Sequence, residues 1–174
     1  MSVKSSIKPA NRSMAHVLSS GTHPASDTDI LDTLKKEHEE VKALLSELQE
    51  TESAKARSQL VQRIKEALVP HTKAEEKVVY DAIIASAEDE AETHGLEGYL
   101  EHEWASKTLQ RLEEADPTSP EHKAAAKVLK DLVEHHIEEE ESNVWSDVKK
   151  HFDDEDRAEM NVAFEAAKGK VKLA

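Results

Sequence analysis

Apolar positions recur along the chain in steps of three and four. Leu31, Leu34, His38, Val41, Leu45 and Leu48 fall on one such stripe, the kind of face a helix buries. Ser26 to Thr28 offer capping residues ahead of it. A polar break at Thr51 to Ser53 precedes a second stripe of Leu60, Ile64, Ala67, Leu68, His71, Ala74, Glu75, Val78 and Val79, with Pro70 set to kink it or to start a new segment. A third helix emerges from the polar run "SAEDEAETHGLEG" with Leu96, Tyr99, His102, Ser106, Leu109 and Leu112. Ser119 as cap and Pro120 at the first helical position open a fourth. Its face reads Leu129, Leu132, His136, Ile137, Glu140, Val144 and Val148, ending near His151 and Phe152.

Four amphipathic helices with short connections predict an all-α, antiparallel up-down-up-down four-helix bundle over residues 27–150. Residues 1–26, which hold Lys4, Lys8 and Arg12 but no acidic residue, read as a flexible tail. Residues 151–174 read as a short helical extension, capped by Asp153 or Asp154, that covers one end of the bundle through Met160, Phe164 and Val171.

Composition narrows the chemistry. A net charge of −14 speaks against nucleic acid or an anionic membrane as partner. No apolar run is long enough to span a bilayer, and the N-terminus lacks the apolar core of a secretory signal, so a cytoplasmic location is expected. With no cysteine there is no thiolate, and any metal must be held by His and carboxylate.

Each of the four stripes carries a histidine where Leu, Ile or Val would otherwise stand: His38, His71, His102 and His136. The spacing repeats, 33 residues from His38 to His71 and 34 from His102 to His136, as in a duplicated helical hairpin. Two carboxylates join them one turn on, Glu75 after His71 and Glu140 after His136, where i and i+4 side chains project together. The same spacing occurs at His135/Glu139 and His151/Glu155, and one or two matches are expected by chance at roughly this composition. What separates the first two pairs is their apolar face. Six polar groups in one core cost several kcal/mol per unpaired charge unless they satisfy one another or a cation. Imidazole and carboxylate suit iron, manganese or zinc. Six donors exceed a zinc tetrahedron and fit two ions, with iron preferred and zinc or manganese as substitutes.

The remaining histidines read differently. His135 sits beside the stripe, His151/Glu155 is a surface pair, and His16, His23, His94 and His122 are expected in solvent. Glu138 and Glu139 read as a solvated face. Glu141 stays open as a donor, and Tyr80 and Trp145 either line the site or simply pack.

The motifs "KKEHEEV", "PHTKAEEKVVY", "LEHEWASKTL" and "HHIEEEESNVW", in that order, resemble the hemerythrin-like, HHE cation-binding family over about residues 28–150. The resemblance implies a non-haem di-iron centre with a bridging solvent-derived oxygen. His38 and His71 would serve one iron, His102 and His136 the other, and Glu75 and Glu140 would bridge. Two positions depart from the oxygen carriers of that family: Ser106 stands where they have a further His, and Glu141 where they have a bridging Asp, beside Glu140. These departures shift the expectation from reversible oxygen carriage to binding or turnover of O2, peroxide or nitric oxide. A peroxide-decomposing, catalase-like enzyme and an iron or oxygen sensor or iron store are the alternatives. No protein partner is legible.

Overall fold

Asp29 opens the first helix. Its carboxylate accepts a hydrogen bond from the Leu31 amide at 2.9 Å, satisfying one of the donors a helix start leaves free, so the cap lies one residue beyond the stretch the sequence offered. The computed structural model describes residues 28–86 and 89–173, and within them every regular element is helical. These are α1 (Ile30–Glu50), α2 (Ala54–Glu75), α3 (Asp81–Ile84), α4 (Asp89–Glu114), α5 (Pro120–Glu139), α6 (Trp145–His151) and α7 (Asp154–Lys168). The expected tail, with His16 and His23, lies outside the described residues.

Pro70 ends nothing, because α2 runs through it to Glu75. The irregularities come later, as two π-helical turns, Glu76–Tyr80 and Glu140–Val144. In these the backbone bonds span five residues, Asp81 N–H to Glu76 O and Trp145 N–H to Glu140 O. One extra residue per turn rotates the downstream face by about 100°. Both turns sit where a His-x-x-x-Glu pair ends.

α1, α2, α4 and α5 form a closed ring of contacts: α1 on α2 and α5, and α4 on α5 and α2. At one end the buried Arg57 guanidinium ties two connections together, donating to Thr51 O and Pro117 O at 2.7 Å each. The core divides into two apolar clusters. One holds Val41, Leu68, Ala105, Val133 and Ile137, the other Leu34, Ala74, Val79, Tyr80, Val144 and Trp145. On α1 and α2 the histidine lies between residues of the two clusters, so the polar groups form a layer with apolar packing above and below.

α4 departs from its predicted stripe. Leu96 is 50% exposed and Ser106 is also exposed, while the buried face is Ala91, Gly95, Gly98, His102, Ala105, Leu109 and Leu112. Small residues face inward because the neighbouring segment supplies the bulk. A Cβ on Gly98 would lie 2.6 Å from Tyr80 Cζ, and one on Gly95 2.7 Å from Ile84 Cγ1. A reading that looks for large apolar residues therefore picks the wrong side. On α5 the inward residue is Val133, with Leu132 half-buried.

α7 has a cap at both levels: Asp153 accepts from the Glu155 and Asp156 amides, and Asp156 accepts from the Asp153 amide. Arg157 anchors it by donating to Asp29 Oδ2 at 2.7 Å. Met160 and Phe164 then complete the cluster built on Ile30, Leu31 and Leu34. The extension is part of the core.

Candidate metal centre

The polar layer is buried. His38, His71, His102 and His136 are 2%, 4%, 4% and 8% exposed, and Glu75 and Glu140 0% and 2%. All six residues singled out by the stripes meet there. Glu75 Oε2 lies 3.4 Å from both His71 Nε2 and His102 Nε2. Glu140 Oε2 lies 3.4 Å from His136 Nε2 and 3.5 Å from His38 Nε2. Two overlapping trios, His38/His71/Glu75 and Glu75/His102/His136, each bring their donor atoms within 4.8 Å of one another. The trios set His38 with His71 and His102 with His136.

These contacts leave much unsatisfied. His38 Nε2, Glu75 Oε1 and both oxygens of Glu140 have no hydrogen-bond partner. Buried groups in that state cost about 1–3 kcal/mol each, and more when charged. A cation accepting their lone pairs removes that cost, so the residues present fit a His/carboxylate metal centre.

Each histidine also has a carboxylate at its other ring nitrogen. Nδ1 of His71 bonds Glu37 Oε2 at 2.9 Å, Nδ1 of His136 bonds Glu101 Oε2 at 2.7 Å, and Nδ1 of His38 bonds Glu141 Oε1 at 3.1 Å. His102 Nδ1 faces Glu76 Oε1 at 3.4 Å. Such carboxylates fix ring orientation and leave Nε2 pointing inward. Sequence reasoning missed Glu37, Glu76 and Glu101. The signal was the doublets Glu37-His38, Glu101-His102, Glu75-Glu76 and Glu140-Glu141: in each, the outer carboxylate serves the histidine of a neighbouring helix. The same geometry separates Glu140, inside, from Glu141, whose side chain is 33% exposed.

Protons are distributed accordingly. Burial disfavours protonation of His71, but Glu75 and Glu37 outweigh it and raise the ring to about 10. His136 behaves alike, with Glu101 and Glu140 raising it to about 10 against burial. Burial pushes the Glu75 carboxyl up, yet His71 and His102 hold it well below its ordinary value. Glu140 goes the other way, raised by burial and by the charge on Glu75.

Aromatic rings frame the two trios unequally. The Tyr80 hydroxyl donates toward Glu75 Oε2 at 3.4 Å and lies 3.4 Å from His102 Nε2 and 3.5 Å from His136 Nε2. Trp145 stacks on His38 at 6.1 Å, and Phe164 of α7 meets His71 edge-on at 5.9 Å. Lys168, also on α7, pairs with Glu37 and so holds the carboxylate that holds His71.

Several other histidine expectations are corrected. His122 is buried at 2% exposure, kept below its ordinary value by burial and by the Arg57 charge, far from the centre in the loop-end packing. His94 lies within α4 and bonds Asp147 Oδ2 at 2.8 Å. His135 stands beside the stripe as expected, exposed, with its Nε2 3.9 Å from Glu101. His151 is half-buried, and the break before α7 separates it from Glu155. Glu139 is half-buried and accepts from Asn143 at 2.8 Å.

Comparison with known proteins agrees with this geometry. The chain is 28% identical over 146 residues to a protein named DNA nickase from Nostoc sp. strain PCC 7120, a match covering 84% of this chain and 41% of that one. The chain therefore spans about two fifths of the length of that curated relative. No solved structure matches. The hemerythrin HHE cation binding domain matches residues 29–146, a span that contains all six buried donors and their four outer carboxylates, and the chain belongs to that family.

Proposed function

We propose that this protein is an up-and-down four-helix bundle whose buried layer holds two iron ions and binds O2 or a related small oxidant, peroxide or nitric oxide. His38 and His71 hold one ion, His102 and His136 the other, and Glu75 and Glu140 reach both. The observation that carries the reading is the set of buried, unpartnered donor atoms on His38, Glu75 and Glu140. The ions supply an open coordination position for a small ligand. The chain supplies the buried layer, the ring orientation and the space: a cavity of about 10 Å3 is bounded by the four imidazoles and by Val41, Leu68, Ala105, Val133 and Ile137. That is roughly one water-sized sphere, which excludes an organic substrate.

Peroxide decomposition is the second reading, favoured by Tyr80, whose hydroxyl stands beside Glu75 and can hold a proton next to the bound oxidant. Iron sensing or storage rests on the same donors and has no further observation behind it. DNA nicking, the activity in the Nostoc protein's name, draws no support from a chain of net charge −14. A cytoplasmic location belongs to the proposal; no helix among the described residues is long and apolar enough to cross a membrane.

The test is metal analysis of the purified chain with its visible spectrum. Two irons per chain and absorption bands that shift with azide, peroxide or O2 are expected. A chain that takes up no iron under anaerobic reconstitution sinks the proposal.

A further inference from the structure

The buried layer meets the outside differently on its two sides. Between α4 and the second π turn lies a narrow depression of about 10 Å3 whose walls include His94, Glu97, Glu101, Glu139 and Asn143 and whose inner end is Tyr80, His136 and Glu140. No lysine or arginine lines it. On the α1 and α2 side lies a wider groove of about 340 Å3, where Arg63 and Lys168 accompany Glu37, Glu40 and Glu66. None of the six buried donors lines that groove.

Building on the metal reading, we propose that the depression beside α4 is the route by which a divalent cation is loaded into the centre. Three observations support it. Exposed Glu97 and half-buried Glu139 attract a cation at the rim, and Glu101 continues the negative wall inward. The route ends on Glu140, a carboxylate 2% exposed with neither oxygen hydrogen-bonded. It is a ready acceptor for an ion shedding its water. Glu139, Glu140 and Asn143 share the passage, Asn143 one turn beyond Glu139 and Glu140 at the start of the π turn. The passage is narrow, so the ion moves through as the Glu139 and Asn143 side chains, joined by their 2.8 Å hydrogen bond, swing aside. The wider groove has two fixed cations and leads to the outer carboxylate Glu37 instead of to a buried donor.

The experiment follows anaerobic uptake of Fe2+ or Co2+ by the metal-free full chain in stopped flow, with final stoichiometry measured separately. The double variant Glu97→Gln/Glu139→Gln should load about tenfold more slowly, with a weaker dependence on ionic strength and the same number of ions at completion. Glu97→Lys alone, at an exposed position, should slow it at least as much without disturbing the fold. Glu40→Gln/Glu66→Gln in the wider groove should load at the parent rate. Equal slowing by both double variants, or parent-rate loading by Glu97→Lys, overturns the route. Failure of the metal reading looks different: no ion is taken up at completion by any form.

Discussion

The two halves of the centre carry nearly the same donors in unlike surroundings. On the His38/His71 side the cover is Trp145 and Phe164, and the outer carboxylate Glu37 is fixed by Lys168 from α7. On the His102/His136 side the neighbour is the Tyr80 hydroxyl, and the wall beyond is carboxylate and amide. Tyr80 and Trp145 occupy corresponding positions, each five residues after the buried glutamate of its own half. One aromatic offers a hydroxyl and the other an apolar ring with an indole N–H that has no hydrogen-bond partner. The lesson is that a repeated pattern of histidine and glutamate builds the buried layer, and the aromatic residue five positions after each buried glutamate decides what surrounds it. α7 adds to the inequality, because it packs chiefly on α1, α2 and the first π turn and lies beyond the span matched by the family.

The largest effect should come from removing the group both halves share. Glu75→Ala takes a carboxylate from both trios, and metal analysis should show both ions lost rather than one. A variant retaining one tight ion would mean that the halves are independent. Next is the apolar cover. Phe164 is fully buried, so Phe164→Ala should cost about 3–5 kcal/mol in denaturant unfolding, and the surviving protein should release the ion of the His38/His71 side first.

Glu37→Gln and Glu101→Gln sharpen the contrast further. Each removes the charge orienting one histidine, and about a 10- to 100-fold loss of affinity is expected, confined to its own half. Competition titration with a chelator reads the two affinities, and equal weakening of both ions by either variant would contradict the division.

The last contrast concerns pH in the metal-free protein. His71 and His136 titrate near 10 when folded, above their ordinary value of 6.5. Folding therefore gains from their protonation fully below about pH 6.5, and that gain fades as pH rises through about 10. Metal competes with those protons, so metal-loaded protein should hold its melting temperature over the same range while the metal-free form declines. Parallel melting curves would remove the histidines from the account.

Much of this was legible along the chain. The stripes on α1, α2 and α5 located His38, His71, Glu75, His136 and Glu140, because a buried helix face repeats with a short period and a polar residue on it stands out. Ser119 and Pro120 marked the start of α5 for local reasons of capping. α4 was legible only in part: His102 was found, but Leu96 and Ser106 were set on the wrong face because its inward residues are Gly95, Gly98 and Ala105, small where Tyr80 and Ile84 are large. No local rule announces that complement.

The sequence by itself determined which residue types sit at helical spacing, hence the helices, the six polar residues on their buried faces and the absence of thiolate. It also confined any centre to nitrogen and oxygen ligands. Tertiary structure alone decided that Glu141 turns outward to His38, that Glu37, Glu76 and Glu101 steady histidines on other helices, and that α7 stands against His71. The reason is physical: periodicity is a property of one helix, whereas which side chains meet depends on how neighbouring helices are turned. Here two π turns, invisible as pattern, set that rotation for the helical segments that continue from them, α3 and α6.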